Sequence, residues 1–213
     1  MDAHLRAGIA IYNAGYYHAA HDAWEEYWMG LSEGPDKDFL QGLIQFTAAV
    51  YHTTNDNWLG ARKLADTSQE YLDGLGDRYC GVDLSTVRYH LRALERDPER
   101  VGSAPPPQVE HDGRPVGLDD LDFEATGVAA TVLAEDLEYD EGVFERGVEY
   151  ARRDLEDGNQ TSPFVSLVLD FVRESQGTGE GDSDVDHRDI IAQRLGEHVD
   201  RRRSREADVD GLF

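Results

Sequence analysis

Between Phe39 and Asn55 the chain carries no Asp, Glu, Lys or Arg over 17 consecutive positions, although 30% of its residues are charged. At that frequency about five charges would fall there, so the segment reads as buried. Its apolar residues recur at helical spacing. Phe39, Leu40, Leu43, Ile44, Phe46, Val50 and Tyr51 take one face, and Gln41, Gly42, Gln45, Ala48, Ala49 and His52 take the other. The second face is small and neutral-polar. Gly42, Ala48 and Ala49 would let another backbone approach closely. Buried glutamines and a histidine must find hydrogen-bond partners or cost about 1–3 kcal/mol each. The preceding helix is the expected source of those partners.

The flanking sequence repeats the helical pattern. Leu5, Ile9, Tyr12 and Tyr16 share a face, Asn13-Ala14-Gly15 ends or kinks that helix, and a second runs over about residues 16–29. Gly34-Pro35 breaks the chain and starts the charge-free helix. Trp58, Ala61, Leu64, Ala65, Ser68 and Leu72 mark a fourth helix, and Leu84, Val87, Leu91 and Leu94 a fifth ended by Asp97-Pro98. Short loops between helices imply an all-α bundle of about five helices over residues 1–97, with the second and third adjacent and antiparallel. Residues 98–120, with Ala104-Pro105-Pro106-Pro107 and no apolar periodicity, read as an extended linker or a loop wrapping the bundle. Residues 121–175 read as an additional helical segment packing on the bundle, with an apolar run at 128–137 and helices near 140–157 and 162–174. Residues 176–213 read as an acidic linker, solvated over 177–186, then a helix carrying Ile190, Ile191, Leu195 and Val199, and a disordered tail.

Charge sets the expected habitat. Forty-four acidic residues stand against 20 basic ones, a formal charge of −24, and Lys37 and Lys63 are the two lysines. Self-repulsion of this size weakens a fold in dilute buffer, whereas molar salt shortens the Debye length to about 3 Å. The acids are spread through the sequence, which fits a high-salt proteome better than one basic partner. Arg201-Arg202-Arg203 with Arg205 is the one basic run, and at the end of a helix such cations suit the dipole, so no nucleic-acid partner is expected. One cysteine, Cys80, excludes an intramolecular disulfide. With no apolar leader and no membrane-length apolar run, a cytoplasmic protein with no membrane partner is expected.

The candidate site lies on helices two and three. His21, Glu25 and Trp28 fall within roughly 60° on one helix, and Gln41, Gln45 and His52 do so on the next. Two imidazoles and a carboxylate, His21, Glu25 and His52, are a ligand set used for zinc and iron, with His18 a secondary candidate. The spacing matches neither the His-Glu-x-x-His of zinc hydrolases nor the Glu-x-x-His pairs of di-iron bundles. The competing reading is a buried hydrogen-bonded cluster in which Glu25 fixes His21 and the glutamines bridge the helices. Trp24, Trp28 and Tyr17 read as core aromatics.

Tyr17-x-x-x-His21-x-x-x-Glu25-x-x-Trp28, followed by Phe39-Leu40-Gln41-Gly42-Leu43-Ile44-Gln45 and then His52, Asn57, Gly60 and Ala61, resembles the domain of unknown function 309 over roughly residues 3–95. The resemblance implies a small all-helical fold of bacteria and archaea with no established activity. It also implies that His21, Glu25, Trp28, Gln41, Gly42 and His52 occupy the motif positions. Two functions follow as expectations. One is a helical module whose polar cluster organises packing or self-association, as a possible homo-oligomer. The other is a protein that binds a divalent metal or a small-molecule ligand at His21, Glu25 and His52, with hydrolysis as its chemistry if it is an enzyme.

Overall fold

The computed structural model describes residues 1–159, 161–174 and 187–210, and these divide into two units, 1–125 and 126–213. The linker expected over 177–186 and the tail beyond residue 210 lie outside the described residues.

In the first unit the helices expected from periodicity are α1 (Asp2–Asn13), α2 (Tyr17–Met29), α3 (Pro35–Thr54), α4 (Trp58–Leu72) and α5 (Leu84–Arg96). Each begins and ends where its sequence directs. Pro35 opens α3, Asn57 caps α4 by accepting the Gly60 N–H at 3.0 Å, and Asp83 caps α5 through the Ser85 N–H at 2.9 Å. Arg88 of α5 donates to the Leu72 and Leu75 carbonyls at 2.7 and 2.6 Å, which closes the C-terminal end of α4. Consecutive helices pack on one another, and α3 sits between α2 and α4. Phe39, Leu40, Leu43, Phe46, Ala49 and Val50 of α3 are buried, as the missing charges require.

Small residues set the closest approaches. Trp24, the largest fully buried side chain, lies so near Gly8 of α1 that a Cβ there would come within 2.2 Å of its indole nitrogen, which donates to the Leu5 carbonyl at 3.2 Å. A Cβ on Gly42 would meet Leu72 at 2.5 Å, and Ser68 donates to the Gly42 carbonyl at 2.7 Å. The close approach that Gly42 permits is therefore made by α4. Gly42 thus faces the α4 side of its helix.

Residues 98–120 hold more than an extended chain. A short helix, α6 (Pro98–Gly102), and a 3₁₀ turn (Leu118–Asp120) flank a hairpin. That hairpin, β3 (Glu110–His111) with β4 (Arg114–Pro115), joins β1 (Arg78–Tyr79) and β2 (Val82–Asp83) in an antiparallel sheet of order β1-β2-β3-β4. Both hairpins turn on two residues of positive φ, Cys80 with Gly81 and Asp112 with Gly113, as tight hairpin turns demand. Asn13 binds this segment to α1, its side chain meeting Val109 and Val116 backbone groups at 2.8–2.9 Å.

In the second unit α7 (Phe123–Asp136), which begins in the first, is followed by α8 (Glu141–Glu156), α9 (Pro163–Arg173) and α10 (His187–Asp210). The apolar run at 128–137 is thus helical, rich in alanine. The last three helices pack mutually around Phe144 and Phe171, whose ring centroids lie 4.2 Å apart. Arg188 of α10 is buried and donates to the Phe171 and Glu174 carbonyls, placing a cation at the carbonyl end of α9. No helix among the described residues is long and apolar enough to cross a membrane.

Candidate functional site on helices two and three

The antiparallel pairing of α2 with α3 is pinned at both ends. His18 meets Tyr51 edge-on at 5.1 Å between ring centroids, and the Lys37 ammonium stands 4.9 Å above the Trp28 ring. With a rise of about 1.5 Å per residue on both helices, the turns between these contacts set His21 and Glu25 alongside Gln41, Gln45 and Ala48. The motif residues of the two helices therefore lie at matching levels of the α2–α3 pair.

They are less buried than their types suggest. His21, Trp28, Gln41, Gln45 and His52 are half-buried, and His18 and Glu25 are exposed. The expectation of a buried polar cluster is corrected: these side chains line the rim where α2 and α3 meet solvent. Glu25, Gln41 and Gln45 make no hydrogen bond or ion pair among the described residues. The indole nitrogen of Trp28 is buried without a hydrogen-bond partner among them, although its ring is half-buried beside Lys37. Trp24 is the core aromatic of the pair, while Trp28 is half-buried beside Lys37.

The polar atoms that do gather are on one turn of α2. His18, His21 and Asp22 each offer a ligand atom, and all three atoms lie within 4.8 Å of one another. Among the described residues this is the grouping that could hold a metal ion; Glu25 and His52 fall outside it. Positions i, i+3 and i+4 share a helix face, so the grouping follows from His18-x-x-His21-Asp22 alone. Asp22, which the sequence reading passed over, was visible as the one acid adjacent to both imidazoles on that face. His18, a secondary candidate by spacing, moves into the set.

Hydrogen bonds give the two motif histidines different jobs. The Nδ1 of His21 lies 2.5 Å from the His18 carbonyl and 3.1 Å from an Asp22 carboxylate oxygen. A nitrogen facing a carbonyl must carry the proton, which leaves the Nε2 lone pair of His21 free to bind a cation. His52 is the reverse. Asn57 spends its oxygen on the Gly60 N–H and so presents its amide N–H to Nδ1 of His52 at 2.9 Å. That fixes the proton of neutral His52 on Nε2 and makes it a donor toward solvent. His52 thus braces the cap of α4.

No curated protein matches this chain. Residues 5–64, which span α1 to the first half of α4 and include every motif residue above, match the family model described as "Domain of unknown function (DUF309)". Over those residues the chain is similar to the domain of unknown function 309 family, and the rest of the chain lies outside the match.

Proposed function

We propose that the first unit is a ligand-binding helical module that takes a divalent transition-metal cation on His18, His21 and Asp22. The observation that carries this is that His18, His21 and Asp22 each offer a ligand atom, the three within 4.8 Å of one another. Two imidazoles and a carboxylate suit zinc, iron, cobalt or nickel in preference to calcium or magnesium. Metal–ligand bonds of about 2.0–2.2 Å require the three atoms to close toward one another, a change that rotation of the exposed His18 and the half-buried His21 and Asp22 can supply. A packing network, the competing reading, needs partners for Glu25, Gln41 and Gln45, and these have none among the described residues.

Metal content of protein purified without an affinity tag tests the proposal. The wild-type chain should retain a divalent metal near one per chain after dialysis, and His21→Ala should weaken its binding at least about tenfold. Glu25→Gln, which alters an exposed and unpaired side chain, should leave stability within about 0.5 kcal/mol of wild type. Equal metal content in wild type and His21→Ala would end this reading.

A further inference from the structure

The second unit carries an open cleft of about 900 Å³ between α8, α9 and α10, a volume within the range of small-molecule sites. Its charge is the inverse of the chain's. Acids outnumber bases 44 to 20 overall, yet four arginines, Arg153, Arg201, Arg202 and Arg205, line this cleft against two acids, Asp154 and Glu206. Pro163 and Phe164 give it an apolar wall.

The arginines divide by what already answers them. Arg202 is held in place: its guanidinium lies 4.4 Å from the Tyr150 ring centroid and 2.6 Å from Asp154, whose other oxygen accepts the Ser162 hydroxyl at 2.6 Å. Arg153 faces Glu149 and Glu206, and Tyr150 donates to Glu206 at 2.7 Å. Those charges are balanced inside the cleft wall. Arg201 donates from Nε to the Glu197 carbonyl at 2.9 Å and meets a charge at the Glu197 carboxylate, 3.8 Å away, and Arg205 has no ion pair among the described residues. These two stand one turn apart on the cleft side of α10, and like charges at that spacing repel. An anion between them would turn the repulsion into attraction. Asp154 and Glu206 are committed to Arg202, Arg153, Ser162 and Tyr150, so they are spent before a ligand arrives.

We infer that this cleft binds a small phosphate ester, its phosphate gripped by Arg201 and Arg205 and its body lying along Pro163 and Phe164. Paired guanidinium forks match the oxygens of a phosphate. The cleft exceeds the size of a bare phosphate, which leaves room for an organic portion. His198, on the same stripe of α10, completes the wall between Phe164 and Arg201, its ring 5.9 Å from that of Phe164.

Isothermal titration of metal-free full-length protein with inorganic phosphate and with pyrophosphate tests the inference, since removing metal separates this site from the one on α2. Saturable binding is expected, weakened at least about tenfold in the double variant Arg201→Gln/Arg205→Gln. Arg203→Gln, which makes the same charge change outside the cleft lining, should leave affinity within about twofold. Circular dichroism establishes that the variants fold; should the double variant unfold, Arg205→Gln alone supplies the comparison. Absence of saturable binding would overturn the inference, as would an equal loss in Arg203→Gln. Tighter binding of a single-stranded oligonucleotide than of pyrophosphate, falling steeply with salt, would also overturn it by assigning the arginines to a nucleic-acid backbone.

Discussion

His21 and His52 hold opposite tautomers because their Nδ1 atoms face a carbonyl and an amide N–H respectively. From sequence the two were interchangeable, each a histidine on a neutral-polar stripe, and nothing in the spacing of His52 announces that Asn57 will turn back onto it. His90 of α5 illustrates a different burden. Its ring stands edge-on to Phe46 with centroids 6.1 Å apart, and burial pushes its pKa down to about 4. An unfolded histidine titrates near 6.5, so between these values the unfolded chain binds more protons than the folded one. The stability that rests on neutral His90 is therefore complete above about pH 6.5 and lost as pH falls through about 4. Urea denaturation at pH 7 and pH 4.5 should show a smaller fall in His90→Leu than in wild type. Equal falls would show that His90 carries none of the acid sensitivity.

At the scale of elements, the helices were legible because their signals are long. Seventeen residues without a charge dictate a buried α3, and Gly34-Pro35 leaves α2 and α3 little choice but to run antiparallel. The four strands were not read, because two residues are too few to show alternation. Asp112-Gly113 was the available signal, a turn pair that tolerates positive φ at both positions. The helix that covers Gly42 was not legible for a related reason: periodicity tells which residues share a face but not which neighbour covers it. Asn57 links element to site, since it both caps α4 and braces His52. Asn57→Ala should cost about 1 kcal/mol of stability in chemical denaturation through the lost cap. A loss indistinguishable from zero would mean that the cap bond is replaced by water.

Over the whole molecule, composition speaks to conditions more than to fold. A formal charge of −24 on 213 residues implies repulsion that screening must relieve. Thermal melting followed by circular dichroism should rise in midpoint from about 0.1 M to about 1 M salt, as the Debye length falls from about 10 Å to about 3 Å. A midpoint independent of salt would show that the acids are arranged so as not to oppose folding. The candidate site was legible in part at this scale. The motif pointed to α2 and α3, and the grouping of His18 with Asp22 was readable from their spacing on α2, but the exposure of Glu25 depends on how α2 is rotated in the bundle, which the motif does not encode.

The proposed function stands or falls on whether one turn of α2 holds a cation. The most direct measurement is a zinc titration of tag-free, metal-free protein followed through the imidazole nitrogen resonances. The Nε2 signal of His21 and a ring nitrogen of His18 should shift to saturation at one equivalent, while His52 keeps its Nε2 proton and its shift. Saturation of His52 together with His21, or no response at His18 and His21, would contradict it.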